Sequence, residues 1–401
     1  MLKDKSIVLG ITGGIAAYKA AELTREFVKR GARVNVIMTP NAARFMTPLT
    51  LQTLSGNPVY TDMFSLSGDW DIHHIALAQA ADIVVIAPAT YNTIGKITSG
   101  IADDLLSTTI AATKAPVLIC PAMNSNMYDN PVLRSNIDRL SALGYLFMDA
   151  ESGELACKAD GAGRLPDPAD IVEKVEAVLT KKDLIGHRIL ITAGPTREPF
   201  DPVRYISNHS SGKMGYALAV MAKRRGADVT LISGPVSLPV LAGVRFVGVS
   251  SASEMRDAVI KHIKEATVII KTAAVADYRP SASSGSKIKK GAGQLGISLE
   301  KTPDIISEVS KIKGDRILVG FAMETEDLIK NARTKMKEKG MDLIVANELG
   351  LPGSGFQHDT NIVKIIDRSG NVEELPLMDK RDVADRILDR VLKISDRESR
   401  A

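Results

Sequence analysis

The stretch SIVLGITGGIAAYKAAELTREFVKRGARVNVIMTP, residues 6–40, decides the fold. It opens on a continuous apolar run, turns at glycines, takes up the spacing of an amphipathic helix and returns to an apolar run. That change of period marks a strand–helix–strand unit, and uninterrupted apolar strands belong to parallel sheets buried on both faces. Gly31 follows Lys29 and Arg30, cations suited to the negative end of a helix, so the helix stops there. The pattern recurs in RILITAGPT (188–196) and GKMGYALAVMAKRRGADVTLISGP (212–235), where Gly226 ends the second helix in the same Arg-Gly-Ala. Further apolar runs lie at 82–88 and 116–122 in the first half and at 267–274, 316–322 and 342–348 in the second. The chain therefore reads as α/β, with two doubly wound, Rossmann-like domains of largely parallel sheets. They span 1–181 and 186–401, parted by the polar stretch TKKDLIG (180–186). Each has an ordinary domain size of ~100–200 residues.

Composition narrows the function. Of 401 residues, 51 are Lys or Arg and 47 are Asp or Glu, a net charge of +4 that is too balanced for a nucleic-acid or membrane surface. Aromatic residues make up 4%, too few for platforms that stack single-stranded nucleic acid. No apolar run is long enough to span a bilayer, and MLKDKSIVLGITGG reads as a first strand without a cleavage site, so the expectation is a cytoplasmic protein. Two cysteines, Cys120 and Cys157, make neither a disulfide framework nor a zinc set.

Neither half carries the G-x-G-x-x-G dinucleotide fingerprint: Thr12 follows Gly10 where a glycine is required. The Gly-Lys pair in YISNHSSGKMG (205–215) is no Walker loop, because Ser207 and Met214 stand where glycine and Ser or Thr are needed. The stretch 195–211 reads as a long loop between strand and helix, and a loop of that length inside a strand–helix–strand unit is usually functional or disordered. Gly13 and Gly14 open a helix directly after a strand. They suit either a phosphate against backbone amides or a tight turn alone. APATYNTIGKITSGIADDLLSTT (87–109) and PAMNSNMYDNP (121–131) follow strand ends, where open α/β sheets bind ligands. Asn124 and Asn126 can hydrogen-bond a planar ligand or close Asx turns. His73 and His74 sit at a helix start, where caps and surface residues are commoner than catalysts. Cys120 lies mid-strand as inert core, whereas Cys157, in the glycine-rich SGELACKADGAGRLPDP (152–168) beside Lys158 and Arg164, is a surface thiol or a reactive one.

GITGGIAAYK, HIALA, APAT, ADDLLSTT, PAMN and ACKADGAGR occur in this order within 5–180, and together they resemble the flavin-containing cysteine decarboxylases. The resemblance implies FMN at the strand ends, near a subunit boundary of a trimer, bound by Gly13, Gly14, Ile15, Thr39, Ala89, Thr90, Asn92, Thr93 and Ser107. It implies oxidation of the substrate thiol to a thioaldehyde, loss of CO₂, and return of the electrons by reduced flavin. His74 is then the base acting at the substrate, Asn124 holds its carboxylate, and Cys157 is the acid on a mobile flap. Lys158 stands where glycine usually follows that cysteine.

The second half holds ILITAGPTREPFDPVRYISNHSSGKMG (189–215), TAAVADYRP (272–280), KIKKG (287–291), LEKTPDII (299–306) and VGFAMET (319–325). These resemble the phosphopantothenate–cysteine ligases over about 186–395. A carboxylate joined to an amine must first become a mixed anhydride, and the charge-rich transition state needs cations and amide donors. KIKK supplies cations, although alone it reads equally as a solvated strand edge. The family uses CTP with Mg²⁺, its metal ligands unassigned here, and forms an acyl-cytidylate. Ala273, Asp277, Lys287, Pro303, Asp304, Ile305, Ile306, Phe321, Lys335 and Lys339 then surround CTP. Lys287 assists cytidylate formation, while Asn208 and Lys213 lie on the phosphopantothenate side. For Asp277 a structural hydrogen bond is the ordinary alternative.

Both motif sets in this order are similar to the bifunctional decarboxylase–ligases of coenzyme A biosynthesis. Their substrates are 4′-phosphopantothenate, cysteine and CTP. The resemblance also implies a homo-oligomer in which trimeric decarboxylases joined to dimeric ligases close into a dodecamer. A nicotinamide dehydrogenase fits the strand pattern but lacks both fingerprints. A non-catalytic relative is expected to lose the histidine or the ligase half, and this chain keeps His74, Cys157 and Asn208.

Overall fold

A computed structural model describes residues 2–64, 73–154, 160–289, 295–324, 328–348 and 353–398. The chain divides into two compact units, Met1–Thr180 and Lys181–Ala401. The first is built on strands β1 (Ser6–Ile11), β2 (Arg33–Met38), β3 (Val59–Tyr60), β4 (Ile83–Ala89), β5 (Val117–Pro121) and β6 (Leu146–Phe147). They pair in parallel in the order β3-β2-β1-β4-β5-β6. A separate antiparallel pair, β7 (Glu151–Glu154) and β8 (Asp160–Arg164), follows.

Apolar residues run continuously along these strands because helices cover both faces. Leu23 and Phe27 of helix Lys19–Lys29 and Ile171 and Val175 of helix Pro168–Leu179 pack on one face. Leu106 and Ile110 of helix Leu105–Ala112, with Leu133 and Leu140 of helix Pro131–Ala142, fill the other. Cys120 is wholly buried among them, and burial pushes its thiol far above the usual range, as an inert core residue requires.

The second unit repeats the plan. Its strands are β9 (Arg188–Ala193), β10 (Arg197–Pro199), β11 (Tyr205–Ser207), β12 (Asp228–Ser233), β13 (Arg245–Gly248), β14 (Val268–Lys271), β15 (Tyr278–Pro280), β16 (Leu299–Lys301), β17 (Ile317–Glu324), β18 (Leu343–Glu348), β19 (Thr360–Asp367) and β20 (Val372–Asp379). The main sheet runs β13-β12-β9-β14-β17-β18 in parallel and adds antiparallel β19 and β20 at one edge. In both units the strand order reverses beside the first strand, which creates the crevice where doubly wound sheets take ligands.

Two features differ from expectation. In the antiparallel edge, β19 largely alternates buried and half-buried residues and β20 is exposed or half-buried except at Leu375, so neither carries a parallel-strand signal. The stretch 195–211 is no open loop: β10 and β11 pair antiparallel in it, Arg197 opposite Ser207, and Arg197 stacks over the Tyr205 ring at 4.6 Å.

Candidate functional sites

In the first unit the crevice opens between the ends of β1 and β4. Thr12, the residue that spoils the fingerprint, ties these ends together. Its hydroxyl donates to the Pro88 carbonyl at 2.7 Å and accepts from the Thr90 amide at 3.0 Å. The cavity there measures about 1100 Å³, the upper end of the ~300–1,000 Å³ usual for small-molecule sites. Gly13, Gly14, Ile15, Thr39, Thr90, Asn92, Thr93 and Asn124 line it. Gly13 is needed for close approach: a Cβ there would come within 2.4 Å of Asn41 Cβ. The Gly14 amide is spent on the Thr12 carbonyl at 2.9 Å, so an anion at this turn meets the Gly13 and Ile15 amides rather than that of Gly14.

Ala89 and Ser107 do not line the cavity. Ala89 is buried in its strand, and Ser107 forms a capping box with Asp104, whose side chain does reach the cavity. Sequence reasoning missed the cations on the wall: Lys19, which donates to the Leu165 carbonyl at 3.2 Å, Arg164, and Lys96, which bridges Asp103 at 2.6 Å and Asp104 at 2.9 Å. Their signal was only a scatter of basic residues near the turn and strand ends.

Asn124 closes an Asx turn at the cavity wall, its Oδ1 accepting the Asn126 amide at 2.9 Å. The glycines of DGAGR explain themselves against this turn. The Met123 amide donates to the Gly163 carbonyl at 2.9 Å, and a Cβ on Gly163 would lie 2.2 Å from the Met123 carbonyl oxygen. His74 is half-buried in the first turn of helix His73–Ala80 and is not among the described cavity residues. Cys157 and Lys158 lie outside the described residues, between β7 and β8.

The cavity suits a flavin mononucleotide. It offers glycine-turn amides and a lysine for a phosphate, and asparagine and threonine groups at a strand end for a polar ring edge.

In the second unit the ends of β9 and β14 are laced together. Thr272 donates to the Thr192 carbonyl at 2.5 Å, the Ala273 amide reaches Thr192 Oγ1 at 3.3 Å, and the Ala276 amide reaches Thr196 Oγ1 at 3.0 Å. Asn208 joins this lacing, its amide donating to the Ala274 carbonyl at 2.9 Å, beside Ala273. Asp277 is exposed and its carbonyl takes the Thr302 amide at 3.0 Å. Lys213 pairs with Asp359 at 2.7 Å and with the Gln357 carbonyl at 2.8 Å. Asp304 caps helix Ile305–Ile312, accepting the Ser307 amide at 3.0 Å, and pairs with Lys339. Burial works to raise its carboxyl, but Lys339 and Ser307 outweigh that and hold it at about 2.

Lys335 lies one helical turn before Lys339. Pro303, Ile306 and Phe321 are half-buried, while Ile305 is in the core at 2% exposure. Lys287 is exposed. Sequence reasoning passed over Lys271, the last residue of β14, although a lysine closing the run VIIK was a visible anomaly. It is 8% exposed, and burial lowers its ammonium to about 7, only partly opposed by Asp304.

Among the described residues no three His, Cys, Asp or Glu side chains converge on a metal position, and no helix is long and apolar enough to cross a membrane.

Residues 1–180 match the family model for flavoproteins, and residues 184–394 match that for the DNA/pantothenate metabolism flavoprotein C-terminal domain. The coenzyme A biosynthesis bifunctional protein CoaBC of Bacillus subtilis strain 168 is 48% identical over 399 residues, 98% of each chain. Its namesake from Escherichia coli K12 is 45% identical over 100% of this chain and 99% of that one. The chain belongs to the family of bifunctional coenzyme A biosynthesis proteins. It is an enzyme of two activities, a flavoprotein decarboxylase and a ligase. Among solved structures, the C-terminal domain of a coenzyme A biosynthesis bifunctional protein CoaBC is 43% identical over 54% of this chain and 100% of that one, with a TM-score of 0.47.

Proposed function

We propose that the second domain, 186–401, joins 4′-phosphopantothenate to cysteine at the expense of CTP, and that the first, 1–181, decarboxylates the product to 4′-phosphopantetheine. The observation that carries this reading is the pair of crevices at the reversal points of two like-ordered sheets, one an open cavity with a glycine turn and the other laced around Asn208.

In the ligase, the carboxylate of 4′-phosphopantothenate attacks the α-phosphorus of CTP, and pyrophosphate leaves. Lys287 neutralises charge that grows in this step. The amine of cysteine then attacks the acyl carbon and gives up a proton to solvent, and CMP leaves with the bridging oxygen, which came from the carboxylate. Asn208 donates toward the acyl oxygen as its charge grows. Ala273, Asp277, Pro303 to Ile306, Phe321, Lys335 and Lys339 hold the nucleotide, and Lys213 sits on the phosphopantothenate side. Mg²⁺ would accompany the nucleotide and neutralise charge on its phosphates.

In the decarboxylase, Gly13, Gly14, Ile15, Thr39, Thr90, Asn92 and Thr93, backed by Ala89 and Ser107, would hold FMN. When bound it supplies a sink that takes and returns two electrons, so the net reaction exchanges CO₂ for a proton. His74 is the base toward the substrate, Asn124 holds the departing carboxylate, and Cys157 gives the proton that completes the product. The protein works in the cytoplasm as a homo-oligomer, with trimeric contacts in the first domain and dimeric ones in the second.

The test is incubation of the full chain with 4′-phosphopantothenate, cysteine, CTP and Mg²⁺, followed by mass analysis. The expected products are CMP, pyrophosphate, CO₂ and 4′-phosphopantetheine, with no turnover when CTP is omitted. Turnover of cysteine and 4′-phosphopantothenate without any nucleotide, or none with all components present, contradicts the proposal.

A further inference from the structure

Lys287 is carried by a segment with no helix or strand of its own. An exposed side chain on such a segment is placed only by the ties of its backbone. Among the described residues, every hydrogen bond from 282–289 to the rest of the unit goes to a single turn, the one joining β10 to β11. The Ser284 amide donates to the Phe200 carbonyl at 3.0 Å, and the Ile288 amide donates to Asp201 Oδ2 at 3.2 Å. The Ile288 carbonyl accepts from the Arg204 guanidinium at 2.9 Å.

Asp201 is the hub of this clasp. Its carboxylate is 0% exposed, yet every contact is a donor aimed at it. It takes the Val203 amide at 2.8 Å, the Arg204 amide at 2.7 Å, and a fork from Arg204 at 2.9 and 2.6 Å. An ionised carboxylate has acceptor sites for all of these and no hydrogen to place against them. Arg204 holds the carboxyl well below the usual carboxylate range, so it stays ionised wherever the enzyme is assayed.

The same turn leads through β11 to Ser207 and so to Asn208. One short hairpin thus sets the backbone beside both candidate groups of the ligase reaction. We propose that Asp201 is a positioning residue for the ligase, clasping the backbone at Ile288 so that the Lys287 ammonium is presented to the nucleotide. The proposal rests on the assignment of Lys287 to cytidylate formation.

Asp201→Asn keeps the shape but turns an NH₂ toward the Ile288 amide or the Arg204 fork. In the full chain, pyrophosphate release from CTP and 4′-phosphopantothenate without cysteine is followed for Asp201→Asn, Lys287→Gln and the double variant. Asp201→Asn is expected to lower kcat by ~10–100-fold, the scale of a misplaced group, with KM for CTP little changed. In the Lys287→Gln background it is expected to add nothing. Losses that multiply in the double variant overturn the proposal, because a general lesion of the fold acts whether or not Lys287 is present.

Lys287→Gln releasing pyrophosphate at the parental rate overturns the assignment of Lys287 itself, and with it the catalytic part of the proposal. Amide exchange at 284–289 then reads the clasp alone: faster exchange in Asp201→Asn supports it, and unchanged exchange overturns it. Arg204→Lys, which keeps the charge and loses the fork, is expected to behave alike and serves where Asp201→Asn does not fold. Circular dichroism and thermal melting of the full chain report the fold of the second unit in every variant.

Discussion

The two units share a strand order and spend their polar groups differently. In the first, the strand-end residues surround an open cavity of about 1100 Å³, and several of their bonds run to near neighbours in the chain, as Thr90 to Thr93, Asn124 to Asn126 and Asp104 to Ser107. In the second, the corresponding groups are committed to one another: Asn208 to Ala274, Lys213 to Asp359, Asp304 to Lys339, and Asp201 to Arg204 and Ile288. A cofactor held throughout turnover needs a standing cavity. A ligase site, which takes in substrates and releases products each cycle, needs groups that stay placed when empty.

If the lacing of the second unit serves catalysis, breaking it there costs most. Asn208→Asp replaces a donor with a negative charge beside the acyl oxygen. It is expected to release pyrophosphate and then accumulate the acyl-cytidylate, with capture by cysteine slowed ~10²–10³-fold, the usual cost of one lost oxyanion donor. Pyrophosphate release and the mass of the intermediate, with and without cysteine, check this. Loss of pyrophosphate release in a folded variant would move Asn208 to the first step.

If the cavity of the first unit is a cofactor site, its wall is the sensitive part. Gly13→Val forces a branched side chain into the space held by Asn41. Overpacking costs ~1–3 kcal/mol, so flavin affinity is expected to fall roughly 10–100-fold while pyrophosphate release in the other unit is unchanged. Flavin retained through gel filtration and read by absorbance measures it. Parental retention would show that this turn is not where the cofactor's phosphate sits.

A third effect sharpens the contrast from the side of stability. Lys271 titrates at about 7 when folded, against 10.5 in its unperturbed state, because burial disfavours the ammonium. The unfolded chain therefore holds a proton that the folded chain has released, and stability climbs as pH rises through that window. Below about 7 both states are protonated and the burial penalty is felt in full. Lys271→Met is expected to be more stable than the parent at pH 7, with the advantage shrinking by up to ~1.4 kcal/mol per pH unit toward the unfolded value. Melting of both chains at neutral and alkaline pH tests this, and an advantage that does not change with pH contradicts it.

Much of the fold was legible because its signals are local. Continuous apolar runs gave the parallel strands near their observed bounds, as at 83–89 against 82–88, and Gly31 and Gly226, both at positive φ, follow the ends of helices Lys19–Lys29 and Lys213–Arg224. The edge strands β19 and β20 were not legible, since an antiparallel edge with one wet face has no such run. The hairpin in 195–211 was hidden by its prolines, which read as loop until the pairing of Arg197 with Ser207 is seen. At the sites, motif order led to Gly13, Asn124 and Asn208. The partners that hold them, Asn41, Gly163 and Ala274, are distant in the chain or carry no distinctive chemistry. Lys271 was visible and unweighted, because a single charge closing an apolar strand has no spacing rule.

That the two units perform successive steps is tested most directly with His74→Asn in the full chain, given 4′-phosphopantothenate, cysteine, CTP and Mg²⁺. The substrates and products are followed by mass over time. The expected result is CTP consumption at the parental rate, accumulation of 4′-phosphopantothenoylcysteine and almost no CO₂. Parental CO₂ release, or a fall in CTP consumption that matches the fall in CO₂, would contradict the division of labour.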